Sequence, residues 1–316
     1  MTGQTTQTVA ADAAGIALAV TALRAGDPVA LPTETVYGLA AVAADGAAVA
    51  RVYAAKGRPA FNPLIVHVAD AAMAATLVQI SPAARALMAR FWPGPLTLVL
   101  PLLEGASVAG IVTAGLPTLA VRCPAHAVMQ AVIAAVGPLA APSANASGRI
   151  SATRADHVAA SLGGRIGLIL DGGPCAAGIE STIVALDGAS VALLRPGAIP
   201  AELLGITAAA PTGITAPGQL ASHYAPHQPV RLDALTAHAH EFHIGFGRIA
   251  GDLSLSASGD LIEAAARLFD TLHAAEASGG TAIAVAPIPD NGIGAAINDR
   301  LRRAAAARPH DGERRR

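Results

Sequence analysis

The sequence predicts a mixed α/β fold, a twisted open sheet followed by a linker and a second, smaller α/β domain. Three observations carry this. Segments with strand and helix patterning alternate from residue 12 to residue 205, but their spacing is irregular and several strands are adjacent, which points to a mixed sheet rather than a strictly doubly wound one. Polar residues collect where apolar strands end, the place open α/β sheets use for binding sites. Between residues 206 and 229, Pro211, Pro217, Pro226 and Pro229 stand with Gly213 and Gly218 among small polar residues, the signature of a semi-rigid linker. The 316 residues exceed the roughly 150 expected of one domain, and the chain divides as 1–205, 206–229 and 230–316.

In chain order, apolar residues at helical spacing predict a helix over 12–25 that stops at Gly26. A short strand follows at 28–31, then the loop Pro32-Thr33-Glu34-Thr35-Val36-Tyr37-Gly38. A helix over 46–55 delivers Lys56 and Arg58 at its C-terminal end. Strands are expected at 64–68, 96–101 and 118–122, with helices between them. A helix over 125–135 leads to a strand at 138–141 and the polar loop Ser143-Ala144-Asn145-Ala146-Ser147-Gly148. Strands at 166–170, 181–186 and 191–194 complete the first domain. Beyond the linker, strands at 243–246 and 281–286 and helices over 260–277 and 292–306 form a small Rossmann-like α/β unit.

Composition excludes several classes. The chain is 53% hydrophobic, but the excess is largely alanine interrupted by 32 Gly and 22 Pro, and no apolar run reaches the ~18 residues of a spanning helix. With no signal-like N-terminus, a soluble cytoplasmic protein is expected. Cys123 and Cys175, far apart and without a CxxC, read as buried thiols. The ten histidines form no compact ligand pair, so no metal site made by side chains is expected. A net charge of −1 gives no broad basic face for a polyanion. The tail after Asp299, rich in arginine from Arg300 to Arg316, reads as a solvated terminus or, alternatively, as a contact for tRNA. One detail is sharper: the chain has 20 arginines and one lysine, Lys56. A compact ammonium can place a point charge where a guanidinium fork cannot.

Four stretches concentrate candidate chemistry. Three hydroxyls and a carboxylate crowd into Thr33–Tyr37, suited to a small ligand or to an ordinary polar loop. Lys56 and Arg58, fixed by Gly57 and Pro59 and followed by Asn62, suit an anion with several oxygens. A helix C-terminus also favours cations for its own sake. His67 on the next strand reads equally as a core histidine. Ser143 and Asn145 can face one way, and Glu180-Ser181-Thr182 and Arg195-Pro196-Gly197 lie at the ends of two further strands. Arg122, at a strand end, is placed to clamp a carboxylate. There is no GxxxxGK[ST] loop and no GxSxG elbow. Gly245-Phe246-Gly247 lacks the third glycine of a dinucleotide fingerprint.

Together these stretches resemble the YrdC-like family of L-threonylcarbamoyladenylate synthases, in the longer form with an additional C-terminal domain. The matching segments are LPTETVYGLAA (31–41), KGRPAFNPLIVHV (56–68), FWPGPLTLVL (91–100), VRCPAH (121–126), PLAAPSANASGRISAT (138–153), GIESTIVAL (178–186), LLRPGAIP (193–200), PGQLASHYAP (217–226) and PIPDNGIGAAINDRLRRAA (287–305). They run in collinear order from about residue 12 to 306. The resemblance implies a YrdC-like open sheet and an enzyme that joins L-threonine, bicarbonate and ATP, with Mg2+, into threonylcarbamoyl-AMP and pyrophosphate. That product serves threonylcarbamoylation of an adenosine in tRNA and reaches the tRNA threonylcarbamoyl transferase either by direct hand-over or by diffusion. By resemblance, Thr35, His67, Arg122, Ser143 and Ser181 surround threonine. Arg58, Asn62, Thr118, Asn145, Ser151, Thr153, Arg195 and Tyr224 meet ATP. Lys56 with Arg58 matches the family's KxR pair, taken as catalytic, and Ser143 with Asn145 its SxN pair. Tyr224 would require the linker to fold back over the nucleotide. Ala216 stands where the family often has serine before Pro-Gly.

Alternatives from other classes fit less well. A non-catalytic RNA-binding factor of the same fold would want a basic, aromatic-bearing surface, and this chain has three Tyr, five Phe and one Trp. A carbamoyl transferase of metallocentre assembly would carry zinc-finger cysteines. A family member with altered substrate choice would not be expected to keep the full threonine set together with Tyr224.

Overall fold

In the computed structural model, residues 5–206 and 223–306 are described. The first domain contains β1 (Gln7–Ala10), α1 (Ala13–Arg24), β2 (Val29–Leu31), β3 (Gly38–Val42), α2 (Gly46–Lys56), β4 (Ile65–His67), α3 (Ala71–Ala74), α4 (Pro82–Phe91), β5 (Leu96–Pro101), α5 (Gly110–Thr113), β6 (Thr118–Arg122), α6 (Ala127–Val136), β7 (Leu139–Ala140), α7 (Ala155–Leu162), β8 (Leu168–Asp171), β9 (Thr182–Asp187) and β10 (Ser190–Arg195). Its ten strands are ordered β1-β8-β2-β3-β7-β4-β6-β5-β9-β10. The sheet is mixed: β4 pairs parallel with β6 and β5 with β9, while β2–β3, β3–β7, β4–β7 and β5–β6 are antiparallel.

The inner strands are buried on both sides. Ala30, Leu39, Val66, Leu98 and Val121 join one apolar cluster with α2 and α4. Leu31, Ala40, Leu139 and Leu170 join another with α1 and α6. This is why they read as continuous apolar runs rather than alternating ones. Local chemistry sets the helix ends. Asp12 caps α1 by accepting from Gly15 N, and Asp45 caps α2 by accepting from Ala47 N and Ala48 N. Gly57, at φ 61°, takes the left-handed position that ends α2 and turns the chain between Lys56 and Arg58.

The second domain contains β11 (Val230–Arg231), β12 (Glu241–Gly245), β13 (Leu253–Ser254), α8 (Leu261–Ala277), β14 (Ala282–Val285) and α9 (Gly294–Ala305). Its sheet, ordered β11-β14-β12-β13, is parallel throughout. Its core does not close on itself. Val36, Ile150 and Ile179 of the first domain and Tyr224 join Ile244, Leu268, Phe269 and Leu272 in one buried cluster. At the seam Gly178, at φ 67°, lets α8 approach so closely that a Cβ there would lie 2.3 Å from the Ala266 carbonyl oxygen.

Several expectations need correction. The sequence reading has no strands at Gln7–Ala10, Gly38–Val42, Val230–Arg231 or Leu253–Ser254 and no helix at Ala155–Leu162. Most are too short to carry a period, and β3 continues directly from the polar loop. The arginine-rich end is not a solvated tail from Asp299 onward. α9 extends to Ala305, Arg300 is fully buried, and Arg303 pairs with Asp299. Arg308 and Arg314–Arg316 lie outside the described residues, as do 207–222 of the expected linker. Cys123 and Cys175 are free and buried.

Candidate active site

The functional pocket opens at the ends of β2, β4, β6 and β10 and is lined by Thr33, Thr35, Val36, Tyr37, Arg58, His67, Arg122, Ser143, Glu180, Ser181, Arg195, His223 and Tyr224, among others. Eight of the residues singled out from sequence thus meet there: Thr35, Arg58, His67, Arg122, Ser143, Ser181, Arg195 and Tyr224.

Parallel pairing of β4 with β6 sets His67 beside Arg122. Arg122 Nη1 donates to Thr35 Oγ1 (2.8 Å), and Nη2 lies 2.7 Å from Glu34 Oε1. The Thr33 hydroxyl donates to the Val36 carbonyl (2.7 Å) and is 2.9 Å from Thr35 Oγ1. Because a carbonyl only accepts, the Thr33 proton is committed and Thr35 donates to Thr33. Thr35 can therefore offer a ligand only an acceptor. Burial alone would raise the Glu34 pKa, but the Arg122 guanidinium overcomes this and holds the carboxylate below its usual range. His67 is pushed down to about 3, first by burial and then by Arg122, so it is a neutral imidazole. Its Nδ1 is buried without a partner among the described residues.

Across the pocket, antiparallel β9 and β10 bring Ser181 and Arg195 together. Arg195 donates through Nε and Nη2 to the Ser181 carbonyl (3.2 and 2.9 Å) and through Nη2 to Ser181 Oγ (3.1 Å). Thr97 on β5 lies 2.7 Å from Ser181 Oγ. Arg58 is held by the carbonyls of Asn62 and Pro63 at 3.3 and 2.9 Å. The pocket wall thus carries three guanidinium groups.

Lys56 sits behind this wall, 3% exposed. Its ammonium donates to the main-chain carbonyls of Ser143 and Asn145, both at 2.5 Å. Burial, and then the charge of Arg58, drives its pKa well down. In this arrangement the lone lysine holds the Ser-x-Asn loop by its backbone. Asn145 turns its amide to the carbonyls of Ala146 (2.9 Å) and Arg149 (3.0 Å), away from the pocket lining. Asn62 is buried with its Oδ1 unpartnered among the described residues. Ser151 is one step back, donating to Glu180 Oε1 at 2.5 Å. Thr153 is buried and 3.4 Å from His157 Nδ1. Thr118 opens β6, at the strand end opposite Arg122. Asn62, Thr118, Asn145, Ser151 and Thr153 are not among the residues that line the pocket.

Tyr224 is 1% exposed, at φ 61°, with its ring against His223 and Phe269 and its hydroxyl unpartnered among the described residues. The described end of the linker, at His223 and Tyr224, does return to the pocket. Sequence reasoning counts Glu34 and Glu180 only as members of polar stretches and Arg300 only as part of a basic tail, and it gives no role to Thr97 or His223. Thr97, a lone polar residue inside an apolar strand, is the one signal available. Buried atoms without a hydrogen-bond partner among the described residues occur in the pocket lining on His67, His223 and Tyr224, and outside it on Asn62 and Asn145. Such groups are costly unless a ligand or water completes them.

A mixed open sheet with a cationic, hydroxyl-rich pocket at its strand ends defines a small-molecule-binding α/β protein with a site for anionic groups. Residues 21–197 match the Sua5–YciO–YrdC family, described as telomere recombination, and residues 190–306 match the threonylcarbamoyl-AMP synthase C-terminal domain. The chain is similar to the threonylcarbamoyl-AMP synthase of Bacillus subtilis, 40% identical with 93% of each chain covered. It is equally similar to that of Pyrococcus abyssi, at 40% identity with 93% of this chain and 94% of the other covered. A crystal structure of Pyrococcus abyssi Sua5 complexed with L-threonine superposes with a TM-score of 0.86 at 37% identity, covering 95% of this chain and 97% of the other. The chain belongs to the Sua5/YrdC family, in the long form that carries the additional C-terminal domain.

Proposed function

We propose that this protein is an L-threonylcarbamoyladenylate synthase, a nucleotidyltransferase that supplies tRNA threonylcarbamoyladenosine modification. The observation that carries the reading is one pocket in which Arg122, Thr35, neutral His67 and Ser143 meet Arg58 and the hydrogen-bonded pair Ser181 and Arg195, in a chain whose long-form relatives bear that name.

Threonine is assigned to the Arg122 side. Arg122 neutralises its carboxylate, and Thr35, restricted to accepting, takes a hydrogen bond from the substrate hydroxyl or amine. Valine would leave buried polar groups unpaired and is disfavoured on that ground. His67, uncharged, adds no repulsion to the amine. ATP is assigned to the opposite side, with Arg58, Asn62, Thr118, Asn145, Ser151, Thr153, Arg195 and Tyr224 as its partners. Of the pair assigned as catalytic, Arg58 faces the pocket and Lys56 acts behind it as a positioning residue, holding the Ser143–Asn145 loop in register.

The amine condenses with bicarbonate, losing water, to give the carbamate. A carbamate oxygen then attacks the α-phosphorus, a new P–O bond forms, and pyrophosphate leaves with the electrons of the broken P–O bond. Alignment and charge neutralisation are what such a transfer demands of the protein. A closed site limits decomposition of the carbamate in water. Glu180 in the pocket lining and Glu34 beside Arg122 are already paired with arginine. The wall therefore suits phosphate oxygens, and Mg2+ is assigned to the triphosphate as part of the substrate. Among the described residues no helix is long and apolar enough to cross a membrane. A cytoplasmic location and hand-over of the product to the tRNA threonylcarbamoyl transferase complete the proposal.

The test is pyrophosphate release from ATP with threonine and bicarbonate each supplied or omitted. Release that needs both supports the synthase. ATP binding without such release would favour a non-catalytic binding protein.

A further inference from the structure

The second domain places one charged side chain at the back of the pocket. Arg300, on α9, is fully buried and reaches into the first domain. Its Nε donates to Glu180 Oε2 at 2.9 Å, and its Nη1 donates to the Pro196 carbonyl at 2.6 Å and to Asp299 at 2.9 Å. The other oxygen of Glu180 accepts the Ser151 hydroxyl at 2.5 Å. Pro196 follows Arg195, and the guanidinium of Arg300 stands 5.3 Å from the centre of the Tyr224 ring. One guanidinium from the second domain thus touches a pocket carboxylate, the turn carrying Arg195 and the face of Tyr224. Nη2 of Arg300 has no hydrogen-bond partner among the described residues.

Stability alone is a weak reason for such an arrangement. Buried ion pairs seldom outperform well-packed apolar groups, and their best-attested use is to fix a geometry. Here the geometry concerns the side of the pocket assigned to ATP. Glu180 is a buried anion in the same wall as Arg195. Held by Arg300 on one oxygen and Ser151 on the other, it is kept from turning to Arg195 and cancelling a charge the nucleotide needs.

We propose that Arg300 is a positioning residue for the nucleotide half of the site, acting through Glu180, Ser151 and the Arg195 turn, and that supplying it is what the second domain contributes to catalysis. The inference rests on the assignment of ATP to this side of the pocket.

The test uses the full chain carrying Arg300→Met or Arg300→Lys. KM for ATP and for threonine are measured separately in pyrophosphate release, alongside Tm. Arg300→Met is expected to raise KM for ATP by about tenfold or more, as loss of one member of a buried charge pair does. KM for threonine should stay within about twofold. A merely structural role would lower the active fraction and leave both KM values in place. Should Arg300→Met fail to fold, Arg300→Lys carries the test. It keeps Glu180 compensated but lacks the fork that holds Glu180 and the Pro196 carbonyl together, so the same split, smaller in size, is expected. Unchanged KM for ATP in a folded variant, or equal rises for both substrates, overturns the proposal. Titration with a non-hydrolysable ATP analogue reads the nucleotide effect directly. A wild type that binds the analogue but releases no pyrophosphate defeats the synthase reading while leaving the role of Arg300 testable.

Discussion

Arg122, in the pocket lining, pairs with the half-buried Glu34 at 2.7 Å, and the same guanidinium donates to Thr35. The arginine is thereby fixed in orientation before any substrate arrives, which removes part of the ordering cost of binding. A fork that serves two groups at once is not replaceable by a point charge. Arg122→Lys is expected to weaken threonine binding by about 100-fold, roughly 3 kcal/mol, with nucleotide-analogue affinity nearly unchanged. Calorimetric titration with each ligand checks this.

Lys56 gives a complementary expectation. Its ammonium fits between two carbonyls in a buried site that suits a compact head. A guanidinium in its place would keep the charge but push the loop away, so Lys56→Arg and Lys56→Ala should both reduce pyrophosphate release by about 100-fold or more. Activity retained in Lys56→Arg would show that charge alone suffices there.

The pH dependence of stability has a definite sign at His67. The folded pKa of about 3 lies below the unfolded value of 6.5. Between these the unfolded chain binds a proton that the folded chain does not, so stability is lost as pH falls from 6.5 toward 3. His67→Gln should flatten urea-derived stability between pH 6 and pH 5 by about 1 kcal/mol relative to wild type. Glu34 and Glu180, both held below the usual carboxylate range, add a loss at still lower pH that the substitution leaves intact.

Tyr224 separates binding from packing. Its hydroxyl is buried without a partner among the described residues, while its ring packs on Phe269. Tyr224→Phe should leave Tm unchanged or slightly higher, because an unsatisfied group is removed, yet raise KM for ATP. Tyr224→Ala should lower both Tm and ATP affinity. Equal ATP kinetics in Tyr224→Phe and wild type would assign the contact to the ring.

Gly178 tests the seam between domains. A methyl group there would meet the backbone of α8 at 2.3 Å, on a residue at φ 67°. Gly178→Ala should cost about 2–4 kcal/mol, read as a drop in the urea midpoint and new proteolytic cleavage between the domains.

Much of this was legible in the sequence. β5 and β6 fall at the expected residues because their apolar runs are bounded by proline and arginine. Eight of the singled-out side chains meet in one pocket because strand ends converge there. What escaped the sequence lies in groups whose partners are remote along the chain. Glu34 acquires its character from Arg122, Glu180 from Arg300, and Lys56 from two backbone carbonyls nearly ninety positions away. Arg300 read as one more basic residue near a terminus because nothing local marks it as buried.

Val36, Ile150 and Ile179 present their apolar sides to α8 and the second sheet, while the segments that carry them form the first domain's own site. The polypeptide should therefore melt in one calorimetric transition, and a version cut before Val230 would bare a greasy patch directly behind its catalytic loops. Any shorter descendant that dispenses with the second domain would first have to recolour those three positions as hydrophilic.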